Sequence, residues 1–274
     1  MSLIKALDKI DRNDFIPAYS GKRSLDSKKL LESPINDKLK EELKKIFAQT
    51  KYFSWDDTIK KLGKSIDQAL KATKDNFYLP FKSKKFNSEL LFIAYFWKKL
   101  KNRVVDILPL EDVPKNSHVL FIDDFVLTGG SIGGGVDEFE DDTKRKDLKY
   151  SCAVVACSEA GYSELKNFRI EVFSQDSFPE GVMAGAELGF LCNVGGENEQ
   201  QLSDYEYQLY PFFSDHKISN VMVNLPKLFH YGRIGDLEIG CLIGYPPDEF
   251  IKKIIWEKYF KDLVGAPKIF AYDI

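Results

Sequence analysis

Two aspartates stand side by side in the stretch HVLFIDDFVLTGGSI, residues 118–132, after an apolar run and shortly before a threonine and two glycines. Adjacent like charges are poor material for a core, and paired glycines are poor material for a helix. Asp123 and Asp124 can accept hydrogen bonds from neighbouring hydroxyls of a polyol, with a divalent cation nearby to offset their charge. Thr128, Gly129, Gly130 and Ser131 form a turn leading into a helix. There, amides without helical partners and the helix dipole favour an anion, and the glycines let backbone approach it closely. A sugar carrying a phosphate satisfies both halves of the stretch. The competing reading is an ordinary strand end with a solvated acidic pair and a loose glycine turn.

The elements around this stretch place it. From Asn76 onward β and α signals alternate. FYLP, RVVDIL, HVLFIDD, YSCAVVACS and FRIEVFS read as strands. SELLFIAYFWKKLKN, a segment from about Ser131 to Phe139, and AGYSELKN read as the helices between them. Short, densely apolar strands separated by helices predict an α/β fold with a mainly parallel sheet covered on both faces. In such a sheet ligands bind beyond the carboxyl ends of the strands, which is where the two acids fall. Before residue 73 the chain reads as a helical extension, with helices over INDKLKEELKKIF and from Ser54 through Ile59, Leu62, Ile66 and Leu70. Beyond Gln175 the pattern loosens; KISNVMVNLPKLF contains a strand, and IKKIIWEKYFKDLV after two prolines is an amphipathic helix. The expected division is a helical extension over 1–73, a core over 74–225 and a C-terminal hood over 226–274, packed as one unit.

Composition narrows the function classes. The chain has 274 residues, 44% of them hydrophobic, and a formal net charge of -3, so no global basic field is present for non-specific nucleic-acid binding. The cysteines Cys152, Cys157, Cys192 and Cys241 form no CxxC pair, and buried free thiols are expected. No apolar run approaches a membrane span and no signal sequence opens the chain, so a cytoplasmic location is expected. GxxxxGK[ST], GxGxxG and HExxH are all absent. His118, at a strand start, is expected to be structural.

DDFVLTGGS resembles the phosphoribosyl pyrophosphate (PRPP) motif of the type I phosphoribosyltransferases: apolar strand, acidic pair, apolar spacer, then Thr-Gly-Gly-Thr/Ser. The resemblance implies that Asp123 and Asp124 hold ribose hydroxyls and touch Mg²⁺ indirectly, through ligand or water. It implies that Thr128, Gly129, Gly130 and Ser131 surround the 5′-phosphate, with amides of Val126 and Leu127 contributing. The family's pyrophosphate loop corresponds to YLPFKSKKFNS, making Lys82, Ser83, Lys84 and Lys85 candidates; a solvated lysine-rich loop is the competing reading. A base-binding hood would fall in LPKLFHYGRIGDLEIG, where Phe229 or Tyr231 could stack and His230, Arg233 or Asp236 could hydrogen-bond; the competing reading is a strand and turn that finish the fold.

Two features depart from the family pattern. The link PLEDVPKNSH is too short to serve as the mobile lid many of these transferases carry. Gly133, Gly134 and Gly135 run on into the expected helix, which implies close backbone packing or a loose turn. The resemblance implies PRPP or nucleotide binding with Mg²⁺ and transfer of phosphoribosyl to or from a nitrogenous base. The alternative is a non-catalytic sensor or effector. The flanking segments are similar in arrangement to phosphoribosyltransferase-like proteins of bacterial antiphage operons, including retrons. That arrangement implies a homo-oligomer or an operon-encoded protein partner, with RNA as a further candidate.

Overall fold

The structure is a computed structural model that describes residues 3–15, 51–80, 88–126 and 129–177, with short pieces at 182–183, 208–209, 212–214, 233–234, 237–238 and 256–260. The chain divides into two compact units. The first comprises Met1–Ala18, Asp56–Phe178 and Glu249–Ile274, and the second comprises Tyr19–Trp55 and Pro179–Asp248.

In chain order the elements that build or lead into the first unit are α1 (Leu3–Leu7), β1 (Lys51–Phe53, of the second unit), α2 (Trp55–Ala72), β2 (Phe77–Pro80), α3 (Ser88–Leu100) and β3 (Val104–Leu108). They continue with β4 (His118–Ile122), β5 (Phe125–Val126), α4 (Gly130–Thr143), β6 (Lys149–Cys157), α5 (Glu159–Asn167) and β7 (Ile170–Ser177). The sheet order is β3-β2-β4-β6-β7, with β5 continuing along β6 beyond β4. Every pairing in it is parallel. This is the α/β architecture expected from the alternating pattern, and each predicted strand from FYLP to FRIEVFS is present.

The central strands explain their composition. All of β4 is buried, and so is β6 after Lys149, because residues on both faces are covered. Val119, Phe121, Cys152 and Val154 join Ile132, Val136 and Phe139 of α4 and Leu165 of α5 in one core. The α4 positions repeat at helical spacing, and each such side chain contributes about 1.5–3 kcal/mol by leaving water. Leu120, Ile122, Ala153 and Val155, which alternate with those strand residues, are equally buried.

On α2, Thr58, Leu62, Ser65, Ile66 and Ala69 form the buried stripe, with Asp56 and Asp57 in the first turn where the dipole favours acids. Ser65 Oγ donates to the carbonyl of Val154 (2.7 Å), fixing α2 to β6. The C-terminal carbonyls of α2 lack helical partners; Arg103 donates to Leu70 O (2.9 Å), and to the Thr73 and Asp75 carbonyls just beyond. Helix α3 is apolar almost all round, as a helix enclosed by protein must be, with Lys98 and Lys99 in its last turn.

Cys152 and Cys157 are buried free thiols, as composition suggested. The expected helix over 251–264 is described only at Trp256–Phe260, a π-helical turn. The expected helix over INDKLKEELKKIF and the strand within KISNVMVNLPKLF lie outside the described residues.

Within the second unit, β1 pairs in parallel with β10 (Phe212–Ser214), β8 (Val182–Met183) pairs antiparallel with β9 (Gln208–Leu209), and β11 (Arg233–Ile234) pairs antiparallel with β12 (Leu237–Glu238). Among the described residues no helix is long and apolar enough to cross a membrane.

Candidate functional site

The acidic pair sits where β4 gives way to β5. Ile122 lies opposite Ala153 and Phe125 opposite Ala156, so the chain keeps its register on β6 across the acids. The backbone ladder persists as well: Asp123 N donates to Ala153 O (3.2 Å) and Val155 N to Asp124 O (2.8 Å). On the other side the neighbouring strand is described only part of the way. Tyr78 opposes Val119, and β2 ends two residues later at Pro80, so the acids stand past the carboxyl end of β2.

This point is also where the sheet reverses direction. From β2 the chain crosses through α3 to β3 on one side, whereas from β4 and β5 it crosses through α4 to β6 on the other. In open α/β sheets ligands bind at the carboxyl ends of strands whose connections leave in opposite directions.

The two acids differ in their surroundings. Asp123 is partly exposed, while Asp124 is wholly buried at 0%. Asp123 Oδ1 accepts the amide of Asp124 (2.8 Å), and Asp124 Oδ1 accepts the amide of Phe125 (2.6 Å). Phe121 and Val126 both belong to the α4–α5 core, although an unbroken alternation would send them to opposite faces. The chain bends at Asp124. The bend turns one acid inward and ties it to the next amide, leaving Asp123 as the partly exposed member of the pair. The charge of Asp123 also reaches Cys152, whose thiol is held well above its usual range, first by burial. Burial alone pushes Cys157 up to about 12.

Gly129 is the N-cap of α4 and adopts the left-handed conformation, φ 76° and ψ -13°. Its carbonyl accepts the first helical bond, from Gly133 N (2.8 Å). A glycine there contributes no side-chain cap to the first-turn amides. It is needed twice over, for its φ and for its neighbours: a Cβ would stand 2.9 Å from Glu164 Cβ and 3.2 Å from Gly161 O. Gly130 and Ser131 are exposed in the first turn, and Val126 is buried at the strand end. Helix α4 runs beyond the Phe139 expected from sequence, to Thr143.

The glycine run is packed closely at one position. A Cβ on Gly133 would come within 2.7 Å of the Phe168 ring, whereas one on Gly134 would meet nothing within 4 Å. The link between β3 and β4 is held down. It makes a short helical turn at Leu110–Asp112 and buries Val113, whose carbonyl accepts from Arg145 (2.9 Å). Asn116 N donates to Asp147 (2.8 Å), a carboxylate kept at about 2, first by its hydrogen bond from Arg145.

Of the other candidates, Leu127, Thr128, Lys82, Ser83, Lys84, Lys85, Phe229, His230, Tyr231 and Asp236 lie outside the described residues. Arg233 opens the hairpin of β11 and β12 in the second unit. His118 is at the opposite end of β4 from the acids and is structural in its contacts. It is buried, with Nε2 2.8 Å from Ser151 Oγ and its ring 4.7 Å from that of Phe77. Sequence reasoning missed Glu164, which touches the cap glycine from a helix more than thirty positions away; no local pattern signals such a contact.

No family model matches the sequence, and no curated protein matches it. Solved structures do match over part of the chain. A protein from Aquifex aeolicus matches at 16% identity and a TM-score of 0.27, covering 37% of this chain and 53% of its own, so the chain spans about half of that protein's length. The purine phosphoribosyltransferase of Pyrococcus horikoshii matches at 16% identity and a TM-score of 0.30, covering 41% of this chain and 80% of its own. The orotate phosphoribosyltransferase of Aeropyrum pernix matches at 17% identity and a TM-score of 0.29, covering 64% and 93%. Two of these matched structures bear the name phosphoribosyltransferase.

Proposed function

We propose that this chain binds a phosphoribosyl ligand, PRPP or a nucleotide 5′-phosphate, at the carboxyl end of β4 and transfers the phosphoribosyl group to or from a nitrogenous base. The observation that carries the reading is the coincidence of three things at one sheet reversal. Asp123 is partly exposed past the end of β2, Gly129 is left-handed at the helix cap, and a 14-residue helix follows. In this reading Asp123 accepts from ribose hydroxyls and the turn at Gly129, Gly130 and Ser131 receives the 5′-phosphate. Asp124 shapes the bend through the Phe125 amide.

A magnesium ion fits the donor set, since a partly exposed carboxylate is a hard oxygen ligand that can reach the ion through the bound sugar or water. When bound, the ion supplies positive charge to the pyrophosphate. In the forward direction a ring nitrogen of the base forms a bond to C1 of the ribose. The bond from C1 to the pyrophosphate oxygen breaks, pyrophosphate departs with its electron pair, and the proton of the ring nitrogen passes to solvent. Positioning and fixed charge carry such a reaction.

Calorimetry with PRPP and Mg²⁺ tests the reading. Asp123→Asn is expected to weaken binding about 10- to 100-fold, as loss of a charged hydrogen-bond acceptor does. Wild-type protein that takes up no PRPP, or equal affinities for the two proteins, rejects the assignment.

A second reading is favoured by the β3–β4 link, which is short and tied to Arg145 and Asp147 instead of being free to close. In it the same pocket senses the ligand without chemistry and signals to a protein or RNA partner, as in an antiphage system. Mg²⁺-dependent binding with no pyrophosphate released for any base supports that reading over transfer.

A further inference from the structure

We propose that Glu164 sets the charge the site accepts, opposing a free phosphate dianion and favouring a phosphate ester that arrives paired with a divalent cation. This rests on the phosphoribosyl reading above and adds a specificity determinant to it.

The geometry ties α5 to the strand end and the turn together. Ser158 N donates to Val126 O (2.9 Å), and Ser158 Oγ accepts from Gly161 N (2.8 Å), capping α5 directly on the strand that follows the acids. The helix then lays Glu164 on Gly129, with Cβ 2.9 Å and Cγ 3.0 Å from where a Gly129 Cβ would stand. The carboxylate lies only two bonds beyond Cβ and one beyond Cγ. Glu164 is partly exposed, and among the described residues no hydrogen bond or ion pair engages its carboxylate. A side chain needed only as a spacer for the glycine turn could end at Cγ; this one ends in a full negative charge beside a proposed anion cradle.

Coulomb's law gives the size of the effect. A unit charge about 8 Å from a phosphate, at a dielectric between surface and bulk values, changes affinity about three- to tenfold at low salt. An ion held at the ribose beside Asp123, as proposed above, offsets part of that repulsion, so the penalty falls more heavily on the metal-free ester.

The test titrates ribose 5-phosphate into full-length protein at low salt, without and with Mg²⁺, using wild type, Glu164→Gln and Glu164→Asp. Glu164→Gln keeps the stem that packs on Gly129 and removes the charge. It is expected to bind metal-free ribose 5-phosphate about three- to tenfold more tightly than wild type. That gain should shrink when Mg²⁺ is added or salt is raised, and Glu164→Asp should stay close to wild type. A purely structural role for Glu164 would move neither the salt nor the Mg²⁺ dependence. Wild type and Glu164→Gln binding equally, or the variant binding more weakly, overturns the role of Glu164 while leaving the phosphate site standing. No binding by any of the three proteins under either condition overturns the phosphoribosyl reading and this inference with it.

Discussion

His118 is the buried titratable group whose behaviour the structure specifies most fully. Its ring is covered by Phe77 and meets Ser151, with Asp75 Oδ2 3.6 Å from Nδ1 and the charges of Lys149 and Glu171 also acting on it. Burial holds the imidazole below its usual value of 6.5, against the opposing pull of Asp75. The unfolded chain therefore takes up a proton before the folded one does. Stability is complete above the unfolded value and is lost as pH falls from 6.5 through the lower folded value. Melting temperatures recorded from about pH 7.5 to about pH 5.5 should fall more steeply for wild type than for His118→Gln. Parallel curves would show that His118 does not supply the slope.

At the scale of elements, α4 and α5 are joined through glycines that serve different ends. Gly133 is flat because the Phe168 ring occupies the space a side chain would need, whereas Gly134 faces open space. Gly133→Ala is expected to destabilise by about 1–3 kcal/mol through overpacking. Gly134→Ala is expected to stabilise by about 1 kcal/mol through helix propensity. Urea unfolding of the two variants checks both, and changes of the same sign would contradict the packing described. The run of three glycines was visible in the sequence, but its two opposite roles were not, because Phe168 reaches α4 from beyond α5. The helices themselves were legible, since Ile132, Val136 and Phe139 repeat at the helical period whatever lies opposite them.

For the whole molecule, a ligand that binds only the folded chain must raise its stability by mass action. PRPP with Mg²⁺ at about one hundred times its dissociation constant adds about 2.7 kcal/mol. For a protein of this size that corresponds to a rise of about 5–10 °C in melting temperature. The rise should be largely lost in Asp123→Asn at the same concentration, and an unshifted wild-type melt would count against the site as a whole. The proposed site draws on elements of the first unit that are far apart in sequence: β2 ends at Pro80, the acids are at 123 and 124, and Glu164 is on α5. Arg233 belongs to the second unit, a hairpin whose chain precedes the return to Trp256–Phe260.

The order of strands and helices from Phe77 to Ser177, and the position of an acidic pair at a strand end before a glycine turn, follow from sequence alone. They depend on periodicity, glycine conformation and charge, which act between near neighbours along the chain. The burial of Asp124 beside a partly exposed Asp123, the end of β2 short of the acids, and the placing of Glu164 on Gly129 were decided by tertiary packing. Each arises where segments distant in sequence meet, and a residue's type carries no record of which distant side chain or backbone will lie against it.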